Sequence, residues 1–229
     1  MKSTHSKLLR LFAVAAPLFL VATAVLAGPP LICHTFDIGS AKSLPRISHS
    51  WNLSGGETYD TSKLANDTLT LLAADNTVIV HMETLRRATL YARKDPAAAK
   101  QLLAAITMGT KSAAPQSDES RALTYFDTGY LAEAYKQWLG DSNNPAANLD
   151  GYALIKQAIQ LRGSDPQMEL AAALVTLSGP AAEHQAHTQK AIAGAKNDPL
   201  LTCNLTSHFM GNQGQTITEM LTKTTVAEK

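Results

Sequence analysis

The sequence predicts an all-α protein of antiparallel helix pairs, preceded by an irregular N-terminal arm. From Asp60 onward, alanine- and leucine-rich runs alternate with brief Asp, Asn, Gly and Pro clusters, the pattern of short amphipathic helices joined by tight turns. Three Asp-Pro steps, Asp95-Pro96, Asp165-Pro166 and Asp198-Pro199, each place a capping carboxylate before a proline whose missing N–H costs nothing in a first helical turn. The longest β-branched run, Thr77 to Val80, has no second run of its length to pair with as a sheet, so it is read as helix.

Residues 1–27 carry a basic start (Lys2, Lys7, Arg10), an apolar run from Leu11 to Leu26 and the small-residue pattern Val25-Leu26-Ala27. This is the form of a cleaved signal peptide, with the cut after Ala27 and a secreted or periplasmic product. The apolar run of about 16 residues contains Pro17 and is shorter than the roughly 20 that a bilayer needs, so no stable membrane insertion is expected after cleavage. Cys33 stands six residues past Ala27, too far for a lipid anchor.

Removing 27 of 229 residues leaves 202, enough for one domain or two small ones. It also takes the formal charge from +1 to −2. A near-neutral chain without a basic block excludes nucleic acid as an expected partner, because phosphate neutralisation needs clustered Lys and Arg. The basic doublet Arg86-Arg87 is read as a solvated helix surface.

Residues 28–59 form the arm, broken by Pro29-Pro30, Gly39, Pro45 and Gly55-Gly56. A loop of that length must pack on something or stay mobile. The helical domain spans 60–209. After a cap at Asp60 or Thr61, Leu64, Leu69, Leu71 and Leu72 share a face; the next helix covers about Val78 to Ala92. Further helices start at Pro96, ending near Gly109, and at Asp118, running to Leu139 with a possible break at Gly129. The last four are expected over Asp150 to Leu161, Pro166 to Leu177, Pro180 to Ala195 and Leu200 to His208, before a polar tail over 210–229.

Cys33 and Cys203 are the two cysteines. In an oxidising compartment an even count favours one disulfide, which would close a loop of about 170 residues and stabilise by roughly 5 kcal/mol in the chain-entropy model. Such a bridge lays the arm across the C-terminal helices.

Pro166 and Pro199 lie 33 residues apart, close to the period of helix-turn-helix repeats. Phe126-Asp-Thr-Gly-Tyr-Leu-Ala-Glu-Ala134 resembles a fragment of the tetratricopeptide repeat, with Gly129 as turn glycine and Ala134 as packing alanine; Gly151-Tyr152 to Asp165-Pro166 resembles the second helix of such a repeat. The resemblance covers about residues 118 to 200 and is degenerate. It lacks the repeat's tryptophan and first-helix glycine, and places His184 or His187 where a small residue is wanted. It implies a short superhelix that binds a protein or peptide; a generic helical bundle is the alternative. The segment Pro29-Pro30-Leu31-Ile32-Cys33-His34 also resembles the opening of exported bacterial proteins of unassigned function.

No stretch carries a complete catalytic or metal motif. Glu183-His184-x-x-His187 offers two imidazoles at ligand spacing without the order of a zinc protease, and is read as surface. His81-x-Glu83 lacks the downstream cysteines of a zinc deaminase. Cys33-His34 lacks the first cysteine of a haem attachment, and Gly109-Thr110-Lys111-Ser112 lacks the upstream glycine of a phosphate loop. No catalytic, metal or cofactor-binding residue is therefore assigned. Tyr125, Tyr130, Tyr135 and Trp138 recur at helical spacing as core, or line a binding surface. Asn52, Asn66 and Asn204 fit the glycosylation pattern. The expected function is a non-catalytic exported scaffold for a protein or peptide partner in the cell envelope. The alternative is a metal-dependent or hydrolytic secreted enzyme using some of His34, His49, His81, His184 and His187.

Overall fold

The computed structural model describes residues 30–46, 52, 58–73, 76–110, 117–140 and 144–210. The expected leader, residues 1–27, and residues 211–229 of the polar tail lie outside them. Among the described residues every regular element is helical: α1 (Leu64–Leu72), α2 (Val78–Ala92), α3 (Pro96–Thr110), α4 (Asp118–Trp138), α5 (Gly151–Arg162), α6 (Pro166–Val175), α7 (Ala181–Gly194) and α8 (Pro199–Leu205). None of these helices is long and apolar enough to cross a membrane.

The helix starts follow the capping chemistry. Asp95 Oδ1 accepts from the N–H groups of Ala97 and Ala98, Asp165 Oδ1 from those of Gln167 and Met168, and Asp198 Oδ1 from that of Leu201. Asp60 caps a 3₁₀ turn, Thr61–Lys63, that leads into α1. Thr77 to Val80 enters α2 as helix, with Thr77 in extended backbone as its cap residue.

The pairs run antiparallel. Along α6 and α7, Pro166 lies against Gly194, Glu169 meets His187 and Lys190, and the Ala173 carbonyl meets His184. Along α4 and α5, Gly129 touches Gly151 and Ile155 while Glu119 reaches Arg162. α4 passes unbroken through Gly129, where the sequence suggested a break. The glycine is there because a Cβ would lie 2.5 Å from the Gly151 carbonyl oxygen; Gly151 faces the Gly129 carbonyl just as closely. Two glycines thus let the helix backbones touch.

α2 departs from the amphipathic expectation. All 15 of its residues are buried, including His81, Glu83, Arg86 and Arg87. A helix apolar or internally paired on every side belongs at the centre of a bundle, and α2 packs against α1, α3, α4 and α6. The Arg86-Arg87 doublet is therefore not a solvated surface: Arg86 is fully buried and Arg87 is 8% exposed. Glu83, also fully buried, takes both guanidinium groups, through Arg86 Nε at 2.7 Å, Arg86 Nη2 at 2.9 Å and Arg87 Nε at 2.7 Å. Burial alone pushes the Glu83 carboxyl upward, but the two arginines outweigh it and hold it below the usual carboxylate range.

That ion cluster fastens the arm. Arg86 Nη1 donates to the Ile32 carbonyl (3.0 Å), Arg87 Nη1 to the Leu44 carbonyl (2.6 Å), and Glu83 Oε2 accepts from the Phe36 N–H (3.0 Å). Gln137 Oε1 accepts from Leu31 N–H and Tyr91 Oη donates to the Pro45 carbonyl. Leu31, Ile32, Phe36 and Leu44 join the same core as the helices, each apolar side chain adding about 1.5–3 kcal/mol by burial. The arm packs.

The expected Cys33–Cys203 disulfide is not formed: both cysteines are free thiols. Cys203 Sγ instead donates to Asp37 Oδ2 at 3.4 Å. The arm still crosses the C-terminal helix, because Asn204 brackets Asp37, accepting from its N–H (2.9 Å) and donating to its carbonyl (2.8 Å). A side-chain amide performs the tethering expected of the bridge. Burial raises the Cys33 pKa and the Asp37 hydrogen bond raises that of Cys203, so neither is an activated thiolate. Maleimide labelling of the unfolded chain should find two thiols, and reductant should leave the melting temperature unchanged; a shift on reduction would mean that the bridge forms.

Just beyond α8, the His208 ring stacks on Phe36 at 4.5 Å between centroids and meets His34 edge-on at 5.5 Å. Burial above all, helped by His34 and Arg86, lowers its pKa to about 4, despite the Asn204 carbonyl and Glu83. Below its ordinary value of 6.5, the unfolded ring takes up a proton that the folded ring refuses, so stability falls with pH until about 4 and then levels. Urea melts at pH 7, 5 and 4 should show His208→Phe losing less stability than the parent; identical slopes would remove His208 as the cause.

Candidate functional site

The described imidazoles serve separate parts of the fold. His34 is exposed on the arm, beside His208; His49 lies outside the described residues. His184 Nδ1 lies 2.9 Å from the Ala173 carbonyl. His187 is 9% exposed, against the surface position expected from the sequence. It stands between Glu169 (Nδ1 to Oε2, 2.5 Å) and the Tyr152 hydroxyl (Nε2 to Oη, 2.7 Å). Ser164 and Lys190 also donate to Glu169 Oε1. Burial would raise the Glu169 carboxyl, yet these three donors keep it below the ordinary range. The row has the order carboxylate, imidazole, hydroxyl. Burial, with Glu183 adjoining, raises the Tyr152 pKa, the opposite of what a nucleophile requires. Its role is to pin α5, α6 and α7 together. No group of three or more His, Cys, Asp or Glu side chains able to hold a metal ion occurs among the described residues.

Of the four aromatic residues singled out in the sequence, Tyr130 and Tyr135 are fully buried. Tyr135 donates its hydroxyl to the Ala99 carbonyl, joining α4 to α3. Tyr125 and Trp138 are half-buried, and Arg93 lies over the Trp138 ring at 4.3 Å. Core duty thus claims two of the rings. The sequon asparagine Asn204 is likewise buried and occupied by Asp37 and Leu200, leaving no room for a glycan there.

One concavity that combines apolar and charged walls lies elsewhere, between α1, α3 and the first half of α4. It has a volume of about 520 Å³. Leu69 and Leu72 come from α1, Ala105 and Ile106 from α3, and Leu123 from α4. The helical register that predicted Leu69 and Leu72 on one face explains why both arrive here. Ser117 caps α4 through the Ser120 N–H, while the Thr124 hydroxyl turns back to the Ser120 carbonyl. At one rim Arg162 pairs with Glu119 (2.5 Å) and Asp165 (3.3 Å).

Asp127 supplies the remaining charge of the wall. It is 6% exposed, and its Oδ1 lies 2.8 Å from Nδ1 of His81, a residue only 1% exposed. With the carboxylate as acceptor, Nδ1 carries the shared proton; Nε2 is buried without a hydrogen-bond partner among the described residues. This fixes the carboxylate against α2 from behind. Among the described residues no hydrogen bond is made to Asp127 Oδ2. Neither His81 nor Asp127 stands out in the sequence as a pair, since 46 positions separate them; a polar residue on an otherwise apolar helix face is the only signal.

No family model, curated protein or solved structure matches the chain.

Proposed function

We propose that the chain is an exported, non-catalytic helical scaffold whose groove between α1, α3 and α4 binds a segment of a protein or peptide partner in the cell envelope. The groove carries this reading: it joins an apolar floor to a few fixed polar groups, the composition of a recognition site. Of the histidines that would serve a hydrolase, His81, His184 and His187 are engaged in separate internal bonds. The tetratricopeptide-like fragments agree with it, because antiparallel helix pairs stacked side by side expose such grooves to ligands. The leader-like residues 1–27 supply the address.

Peptides selected on the purified chain from a random heptamer library should perturb the amide resonances of Leu69, Ile106 and Leu123. Selected peptides that leave these amides unmoved would overturn the assignment. So would turnover of ester or peptide substrates that His187→Ala or His81→Ala abolishes.

A further inference from the structure

We propose that the groove between α1, α3 and α4 is a receptor for a lysine or arginine side chain of an extended peptide, with Asp127 as the charge acceptor. This rests on the scaffold reading and names the ligand chemistry of the same site.

Glu119 is answered by Arg162, and Arg162 is shared with Asp165, so the rim is internally paired. Asp127 sits deeper, only 6% exposed, with one oxygen held by His81. A nearly buried carboxylate is costly unless its oxygens are satisfied. Its second oxygen has no protein donor among the described residues, and Asp127 is part of the wall of an open groove. A cationic donor entering from solvent completes that shell.

Shape supports the same ligand. Long basic side chains lay an apolar stem along hydrocarbon and keep the charged head on a polar partner. Leu69, Leu72, Ile106 and Leu123 provide the hydrocarbon, and Asp127 the partner, within one concavity. Leu69, at 37% exposed, is one of three large apolar side chains left in solvent among the described residues. Seating a stem there covers it. An acidic side chain would meet Asp127 as a like charge, and an uncharged aliphatic one would leave Oδ2 unanswered.

The test uses three heptapeptide libraries, capped at both ends, whose central position is fixed as lysine, norleucine or glutamate. Each is panned on the full-length chain and on Asp127→Asn, and the best sequences are measured by fluorescence anisotropy. Asparagine keeps an oxygen for His81, so the fold should survive; Leu69→Lys, a surface change that offers the chain's own ammonium to the groove, serves as the second variant. The expected result is at least tenfold tighter binding of the lysine peptide than of its norleucine twin, with Asp127→Asn and Leu69→Lys each removing that margin.

Equal binding of the lysine and norleucine peptides would overturn the cation site while leaving the scaffold reading standing. Failure of all three libraries would overturn both. A lysine preference untouched by Asp127→Asn would place the receptor elsewhere and overturn this assignment. Displacement of the peptide by spermidine at equal affinity would replace the peptide by a small polyamine. Self-association of the parent that Asp127→Asn breaks would make the occupant a second copy of the chain, again contrary to the proposal.

Discussion

Glu83→Gln should destabilise the chain by about 3–5 kcal/mol, because it leaves two buried guanidinium groups facing a neutral amide. For a chain of this size that is a fall in melting temperature on the order of 10 °C. The cost is large because Glu83 is the common partner: it accepts from Arg86 and Arg87 and also from the Phe36 N–H of the arm. The triple replacement Glu83→Leu, Arg86→Met, Arg87→Leu separates the two duties. Removing all three charges together should restore much of the helical core's stability, but the Ile32 and Leu44 carbonyls lose their donors. Trypsin should then cut after Lys42 or Arg46 at least tenfold faster than in the parent. A single Glu83→Gln variant that melts with the parent would show that the cluster carries little of the fold.

Gly129→Val should be more damaging, at upwards of about 4 kcal/mol, the range reserved for changes with no room to relax. The new Cβ would stand 2.5 Å from the Gly151 carbonyl oxygen and 3.0 Å from Ile155 Cγ1 and Leu154 Cβ. Backbone is what it meets, so no rotamer change relieves the clash; α4 and α5 must separate. Gly163→Ala is the informative contrast. Gly163 has φ +74° and open space within 4 Å of where a Cβ would stand, so alanine there incurs only the left-handed backbone penalty of about 1–2 kcal/mol. Circular-dichroism melts should rank Gly129→Val far below Gly163→Ala. Similar losses at both sites would mean that the α4–α5 contact tolerates a side chain.

The helix inventory was legible because its signals are local. Each Asp-Pro step needs only its own carboxylate and the next few N–H groups, and Val78 to Ala92 needs only periodicity, so both could be read without knowing the neighbours. Position within the bundle is a non-local property, and there the sequence misled. Arg86-Arg87 looks solvated until Glu83, three and four residues earlier on the same helix, is recognised as the shared acceptor that permits burial. His187 looked exposed for the same reason: Glu169 and Tyr152 lie on other helices. Cysteine parity pointed to a bridge, while the arm's actual fastening depends on an asparagine whose amide geometry no spacing rule encodes. The groove was half visible. Leu69 and Leu72 share a predicted face, but Asp127 acquires its meaning only when α2 brings His81 behind it.

Rows of helix pairs held by nearest neighbours usually fray, opening from either extremity while the middle stays shut. Here Asp37 grips Asn204 across 167 positions of sequence while the same strap is riveted to the central helix. The C-terminal extremity cannot peel away without tearing out the strap, so amide exchange in α2 and in α8 should slow together, reporting one concerted opening where an unstrapped row would show a gradient.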